Sequence, residues 1–349
     1  MLNVWIDCST IVFDNLTGIG RYIVEISKNL QMLPEIELKG VCKLSRWHRK
    51  QKIQKHLPNL PLRSFPSLGR QPDLFHGPDY FMKYCGKAKK VVTIHDLATF
   101  HPHLVESKRT ETSQKGNIQK IVQNKNLDAI ITISEFVKKE ILHFFPQLDK
   151  PVFVTPLAAN HKSFDYQKTS PQPYLLYVGV WDKRKNVLGL CKAFEKIADK
   201  YPDFLLVLAG SQNGFEAEKV AEHIAKSKFR ERFRCYDYVS ESKLQDLYAK
   251  AWAFVFPSFY EGFGIPVLEA MHYGLPVLTS LNSAMQEVAQ DAALYINPHE
   301  IDSIAEGIEK IIADNPLRQN LVAKANQRLQ FFSWEYTAQK TYEVYQSIQ

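Results

Sequence analysis

Twice along this chain, short and nearly unbroken apolar runs alternate with helix-spaced patterns, and that alternation restricts the fold more tightly than any other feature. Val4-Trp5-Ile6, Leu74-Phe75-His76, Val91-Val92-Thr93-Ile94, Ala129-Ile130-Ile131-Thr132-Ile133 and Val152-Phe153-Val154-Thr155 read as strands. Between them, Ile23, Ile26 and Leu30 keep helical spacing within residues 20–33, and Ser134 stands where the N-cap of a helix over residues 135–144 belongs. Strands this apolar are covered on both faces, which in a strand–helix–strand series means a parallel sheet between helices. After a polar stretch at residues 160–173 that includes Ser170-Pro171-Gln172-Pro173, the series begins again. Strands are expected at 174–178, 204–209, 232–236, 253–256 and 276–279, and helices at 187–200, 216–226 and 242–251. A chain of 349 residues is too long for one ordinary core. The expectation is an α/β protein of two Rossmann-like, doubly wound parallel-sheet domains, residues 1–160 and 161–334, facing each other across a ligand cleft.

No apolar run approaches the ~18–20 residues needed to span a bilayer. Met1-Leu2-Asn3-Val4-Trp5-Ile6-Asp7 lacks a basic segment ahead of its apolar residues and reads as a first strand, not as a signal peptide. Cys8, Cys42, Cys85, Cys191 and Cys235 are scattered without a CxxC pair, the pattern of reduced thiols in a cytoplasmic protein. The net charge of +7 is carried by the first half. Between Glu37 and Asp73 no acid interrupts Lys39, Lys43, Arg46, Arg49, Lys50, Lys52, Lys55, Arg63 and Arg70, and Trp47, Ile53 and Leu57 lie among these cations. Residues 39–70 suit an anionic membrane surface, and for Trp47 to Leu57 a solvated helix or loop accounts for the charge equally well. No recognised nucleic-acid module accompanies the charge, so no nucleic acid is expected as a partner.

The most informative stretch is Pro257-Ser258-Phe259-Tyr260-Glu261-Gly262-Phe263-Gly264-Ile265-Pro266-Val267-Leu268-Glu269-Ala270-Met271. A strand ends at Pro257, a glycine turn follows, and Pro266 suits the first turn of a helix. The amides around Gly264 and Ile265 then stand at a helix N-terminus, an anion site fit for a diphosphate. Glu269 falls about one turn into that helix, where a carboxylate can accept hydrogen bonds from ribose hydroxyls, and Glu261 precedes the turn. Either glutamate alone is more simply a solvated side chain; their spacing around a glycine turn is what points to function.

This stretch resembles the E-x7-E signature of glycosyltransferase family 4, retaining enzymes of the GT-B fold. Thr17-Gly18-Ile19-Gly20-Arg21-Tyr22 is similar to the family's first glycine loop, and His95-Asp96-Leu97 to its histidine loop. Tyr177-Val178-Gly179 followed by Arg184-Lys185-Asn186 is similar to its phosphate-gripping segment. Ala209-Gly210, Pro276-Val277 and residues 283–288 match further blocks, so the resemblance runs along nearly the whole chain. The chain departs from the family pattern at Val180, where many relatives carry a second arginine, and at Asp237, which replaces a common glycine.

The resemblance implies the GT-B architecture, with a last helix over about residues 335–349 crossing back onto the first domain. It places Gly18 and Gly20 near the donor phosphates and His95 against the transferring sugar. Arg184 and Lys185, with Gly179, Gly262, Phe263, Gly264 and Ile265, would hold the diphosphate. The base and ribose would lie near Tyr238 and Glu269, and Glu261 would complete the catalytic set. Taken alone, Gly18-Ile19-Gly20 is more often a structural turn, with Ile23 where a dinucleotide fingerprint needs its third glycine. A lone His95 is more often a packed polar residue, and Arg184 and Lys185 as surface charges would matter little.

The expected function is a retaining glycosyltransferase that moves a sugar from a nucleoside-diphosphate donor to a saccharide or lipid-linked acceptor in polysaccharide or glycolipid synthesis. Mannose from GDP-mannose is favoured and UDP-sugars stand close behind. With no D-x-D triplet in the chain, paired cations would replace a divalent metal, and no cofactor is expected. A sugar-nucleotide epimerase or phosphorylase on the same fold, a non-catalytic nucleotide-sugar binding protein and, more distantly, a nicotinamide dehydrogenase remain as rivals. The expected location is the cytoplasm or the inner face of the membrane.

Overall fold

Six residues of near-continuous apolar character make the first strand, β1 (Leu2–Asp7), which is buried at every position after Leu2. Around it the computed structural model builds a seven-stranded sheet with β2 (Ile36–Lys43), β3 (Leu62–Phe65), β4 (Leu74–Gly77), β5 (Lys89–Ile94), β6 (Ala129–Thr132) and β7 (Val152–Val154). The strand order is β3-β2-β1-β4-β5-β6-β7, with every neighbouring pair parallel. The structure describes all residues except 15, 66–70, 83–85, 106–107 and 160–170, together with the side chains of 108–112. Arg70, Cys85 and residues 160–170 of the expected linker therefore lie outside the described residues.

A second all-parallel sheet comprises β8 (Tyr174–Val178), β9 (Leu205–Ala209), β10 (Phe233–Tyr236), β11 (Ala253–Phe256), β12 (Val277–Ser280) and β13 (Ala293–Ile296), in the order β10-β9-β8-β11-β12-β13. The chain divides into two compact units, one of Met1–Leu97, Thr112–Ala158 and Phe332–Gln349, the other of Ala98–Glu111 and Ala159–Phe331. In each sheet the order reverses beside the unit's first strand, between β1 and β4 and between β8 and β11. Loops leaving the two strands at such a point diverge and open a crevice, the usual ligand position in a doubly wound sheet.

The helices follow the spacing of their apolar residues. The first, α1 (Gly18–Leu30), buries Tyr22, Ile23, Ile26 and Leu30. Then come α2 (Lys50–His56), α3 (Lys108–Val122) and α4 (Glu135–Phe144), the last capped by Ser134 Oγ, which accepts from Val137 N at 3.1 Å. The second unit carries α5 (Val187–Ala198), α6 (Ala217–Lys226), α7 (Glu241–Lys250), α8 (Ile265–His272), α9 (Ala284–Ala289), α10 (Ile301–Ala313) and α11 (Asn315–Leu329). The last helix, α12 (Trp334–Ser347), buries Trp334, Thr337, Ala338, Thr341, Val344 and Tyr345 and packs on α1 in the first unit.

The pattern reading does not contain β2, β3 or β13. From residue 47 to 56 the basic stretch is helical, a 3-10 turn (Leu44–Arg49) running directly into α2, with β2 before it and β3 after it. Polar residues break the apolar runs of β2, and all four residues of the edge strand β3 are only half-buried, so neither shows a plain apolar signal.

Two helical glycines separate packing from propensity. A Cβ at Gly307 in α10 would stand 2.5 Å from Ile296 Cγ2 and 2.7 Å from Leu278 Cδ1, whereas one at Gly116 in α3 would meet nothing within 4 Å. Helix propensity favours alanine by up to ~1 kcal/mol at either position. Overpacking at a filled site costs about 1–3 kcal/mol. Gly116→Ala should therefore raise the urea midpoint and Gly307→Ala should lower it, with no change in the slope of either transition.

Candidate functional site

Two loops meet at the switch point of the second unit, one leaving β8 and one leaving β11. The β8 loop passes Gly179 into a 3-10 turn of Lys183–Lys185 and ends at Asn186, whose φ of 56° is left-handed. The Asn186 amide fixes the turn by donating to Pro257 O at 3.1 Å and Pro298 O at 2.8 Å. Arg184 O in turn accepts from Phe259 N at 2.8 Å, so the β8 loop is bonded to the β11 loop through both backbone and side chain. Gly210 has φ +133°, and a Cβ there would strike the Gly179 carbonyl, so the backbones leaving β8 and β9 approach closely.

Glu261 lies between the two cations. Its Oε1 accepts from Lys185 Nζ and, at 3.0 Å, from Ser258 Oγ, while Oε2 is 3.4 Å from Arg184 Nη1. Lys185 is 9% exposed and Glu261 7%. Asp182 Oδ2 is 3.9 Å from Arg184 Nε, and Lys185 Nζ also sits 5.0 Å from the centre of the Phe256 ring. Burial pushes the Glu261 carboxyl up, but Lys185, Arg184 and the hydrogen bonds from Lys185 and Ser258 together outweigh it and hold the group below its ordinary value. Burial, with Arg184 adding to it, holds Lys185 below its ordinary value against the pull of Glu261 and Asp182. Glu261 is therefore an ionised counter-ion that keeps two like charges side by side.

The same β11 loop continues through Gly262 and Phe263 to Gly264, whose φ of +105° starts α8 at Ile265, with Pro266 in the first turn. A helix start leaves its first amides without intrahelical acceptors and favours negative charge. Glu269, one turn in, is half-buried and its Oε2 accepts from Tyr248 OH at 3.0 Å. Tyr248 belongs to α7, is 2% exposed, and stacks on Tyr273 with ring centres 5.2 Å apart. Ser283, from a block that matched the family pattern, is 4% exposed, and among the described residues its Oγ has no hydrogen-bond partner. Tyr238 lies in the loop after β10 and is 69% exposed.

The first unit holds the other expected residues. Gly18 opens α1, with nothing within 4 Å of a Cβ placed there, and Gly20 N donates to the Thr17 Oγ1 cap at 3.2 Å. His95 follows β5, is half-buried, and donates from Nε2 to Pro78 O at 2.9 Å, with the Tyr22 ring edge-on at 4.9 Å. Burial holds its imidazole below the ordinary value, against the Pro78 carbonyl, Asp79 and Asp96. Asp79 is 8% exposed.

The structure thus brings Arg184, Lys185 and Glu261 into direct contact and carries Gly262, Phe263, Gly264, Ile265 and Glu269 on the continuation of the same loop and its helix. Gly179 starts the β8 loop, and Tyr238 follows a strand at the sheet edge. Gly18, Gly20 and His95 lie in the first unit. Ser258, Asn186, Tyr248 and Asp79 support these groups without having been singled out from sequence. A left-handed asparagine directly after two cations was the one available signal, since asparagine adopts that conformation more readily than most residues. Among the described residues no group of three or more His, Cys, Asp or Glu is placed to hold a metal ion.

Residues 159–328 match the family model described as glycosyl transferases group 1. O-antigen chain mannosyltransferase B of Escherichia coli is 30% identical, covering 95% of this chain and 97% of that protein. O-antigen chain mannosyltransferase RfbU of Salmonella typhimurium is 28% identical over 64% of this chain and 60% of its own. Among solved structures, sucrose-phosphate synthase from Thermosynechococcus elongatus superposes with a TM-score of 0.74 at 17% identity, covering 99% of each chain. Anabaena HepE in complex with UDP and glucose gives 0.70 at 15% identity, covering 99% of this chain and 100% of its own.

Replacing Glu261 tests the counter-ion role. Glu261→Gln strands two cations at a buried position, and breaking a buried pair from one side costs about 3–5 kcal/mol. The folded pKa of Glu261 lies below its unfolded value, so the unfolded chain binds more protons between the two. The stability from Glu261 is then fully present above the ordinary carboxylate value of ~4.3 and is lost as pH falls through the folded one. Urea melts at a series of pH values should show a constant gap between wild type and variant near neutrality that closes in acid; a gap independent of pH would reject the assignment.

Proposed function

The chain belongs to the group 1 glycosyl transferases, and on that premise we propose that its second unit binds a nucleoside-diphosphate sugar whose sugar passes, with retention at the anomeric carbon, to an acceptor hydroxyl. It is a glycosyltransferase of the GT-B fold, and the finer reading, that of family 4, rests on the E-x7-E stretch. The observation that carries it is the contact set of Arg184, Lys185 and Glu261 beside the Gly264 turn, on loops leaving the two strands at the switch point. Mannose from GDP-mannose, in polysaccharide synthesis, is the donor chemistry we assign, because the Escherichia coli and Salmonella relatives are O-antigen mannosyltransferases. The same relatives disfavour the epimerase, phosphorylase and binding-protein alternatives.

In this reading the diphosphate lies against Arg184, the more exposed of the two cations with 28% of its side chain accessible, and against the amides at Gly264 and Ile265. Glu269, held by Tyr248, takes the ribose hydroxyls, and Tyr238 flanks the base. Glu261 is committed to Lys185, Ser258 and Arg184, which makes it a poor nucleophile and favours front-face attack. The bond from the anomeric carbon to the phosphate oxygen breaks, the acceptor oxygen bonds to that carbon on the same face, and its proton passes to the leaving phosphate. The cations meet the charge that develops on the diphosphate, so no divalent metal is required. The acceptor, a saccharide or lipid-linked saccharide, is assigned to the first unit, with His95 touching the transferring sugar.

Transfer assays on GDP-mannose test the site. Lys185→Ala should lower kcat/KM by about 100-fold, the usual loss for one electrostatic contact to a transition state. Glu269→Ala should raise the donor KM by about 10-fold, the worth of hydrogen bonds to a charged group. EDTA should leave turnover intact, and the product anomer read by NMR should match the donor. Near-wild-type kinetics in both variants would remove the donor site; an inverted anomer would remove the front-face route.

We also assign the basic face of the first unit to an anionic membrane surface. No helix among the described residues is long and apolar enough to cross a membrane, so the contact would be peripheral. Lys39 pairs with Glu37 and Lys52 with Asp14, each at 2.6 Å, while Arg49, 5.7 Å from the centre of the Phe13 ring, Lys50, 5.3 Å from that of Trp47, and Lys55 are exposed, as are Leu44 and Phe13, 62% and 48% accessible. Cations flanking exposed apolar groups suit a lipid interface. The protein should float with anionic liposomes at low salt and be released by high salt, and Arg49→Glu with Lys50→Glu should weaken flotation. Failure to float at low salt would remove the assignment.

A further inference from the structure

The first unit contains a set of buried polar side chains that the transfer reaction, as described, does not use. His76 lies on β4 and Thr93 on the adjacent β5, both fully buried. His76 Nδ1 is 2.6 Å from Tyr345 OH of α12, and its Nε2 is 2.8 Å from Thr93 Oγ1. Thr93 Oγ1 is also 3.1 Å from Tyr22 OH of α1. Tyr22 and Tyr345 are likewise fully buried, and the Tyr22 ring meets His95 edge-on at 4.9 Å. Four polar groups on four different elements thus run without a break from the last helix to the ring that abuts His95.

We infer that Tyr345, His76, Thr93 and Tyr22 form a hydrogen-bonded relay of positioning residues that holds the His95 imidazole in one orientation, the one in which its Nε2 reaches Pro78 O. The inference deepens the proposed function and rests on its reading that His95 touches the transferring sugar. Burial pushes His76 down to about 3, with His95 adding to it, so His76 stays neutral and one ring nitrogen donates while the other accepts. Across His76 the two bonds then run in one direction at any moment, from Tyr345 through the ring to Thr93 or the reverse, and in the second case Thr93 Oγ1 takes its other bond from Tyr22 OH. A break at one hydroxyl leaves the remainder of a buried chain unsatisfied, which is why its members act as a unit. At the far end, donation from His95 Nε2 to Pro78 O makes Nδ1 the acceptor of that ring.

The groups acting on His95 fix the sign of its response. Asp79 and Asp96 favour the imidazolium, Asp7 acts on Asp79, and His76 opposes a second charge from behind. Burial is the largest influence and keeps His95 neutral. Loosening the Tyr22 ring admits water, relieves that burial and lets the two aspartates act, so the midpoint of His95 should rise.

Histidine-selective 15N and 13C NMR of the intact protein reads both properties directly and needs no substrate. Wild-type His95 should show the Nε2–H tautomer and a midpoint below ~6.5, the value of an unperturbed histidine. Tyr345→Phe and Tyr22→Phe should each raise that midpoint toward or beyond ~6.5 and mix the tautomers, and the double variant should go no further than either single one. Thr93→Val should behave in the same way and Thr93→Ser should restore the wild-type signals, which covers the case in which a tyrosine variant fails to fold. Unchanged His95 signals in a folded Tyr345→Phe or Thr93→Val protein would overturn the relay, as would fully additive effects. If the NMR shifts appear but His95→Ala transfers mannose at the wild-type rate, the relay stands and the sugar-contact reading falls.

Discussion

The second unit is organised around one buried ion pair, that of Lys185 with Glu261. Removing two charges from water is costly, and a buried pair is tolerated only when its remaining hydrogen-bonding capacity is met. Here Ser258 supplies a further donor to the carboxylate, Phe256 offers its ring face to the ammonium, and Arg184 approaches the second carboxylate oxygen. Each of these comes from β8, β11 or the loops that follow them. The pair, 76 residues apart in the chain, therefore ties together the loops that follow two neighbouring strands of the sheet.

Topology makes that meeting possible. Because β8 and β11 are adjacent and parallel, their carboxyl ends open on the same edge, and the two loops bond to each other through Asn186 and Phe259. The first unit repeats the scheme with different chemistry. The start of α1 after β1 and the loops after β4 and β5 carry the glycines, Asp79 and His95, and the groups beneath them are neutral and hydrogen-bonded rather than ionic. One edge concentrates charge; the other presents an imidazole that burial holds below its ordinary pKa.

Local periodicity made most of this fold legible. Strands buried on both faces announce themselves as continuous apolar runs, and the glycine turn before Pro266 marks the start of α8 by its own residues. What the sequence concealed depends on distance along the chain. Nothing near Glu269 points to Tyr248 on the preceding helix, and nothing near His76 points to Tyr345, 269 residues later. Glu261 was visible as a candidate, but its part as the counter-ion of Arg184 and Lys185 appears only when the loops are seen together. Within the basic stretch, Arg63 lies 5.6 Å from the ring of buried Trp5, so a residue that looks like surface charge is partly a lid on the core.

The division of the chain has a bearing on how the protein is made. Phe332–Gln349 belongs to the first unit, where Thr337 Oγ1 donates to Pro156 O at 2.6 Å and Tyr345 covers His76. On the ribosome, the seven-stranded sheet emerges long before those residues do. Until they follow, it lacks one partner of a buried imidazole and the apolar face of its closing helix, whereas every strand of the second unit is already out. The core of the first unit is thus finished only by residues made after the whole second sheet, and a chain cut before residue 332 would leave that core exposed to proteases and chaperones.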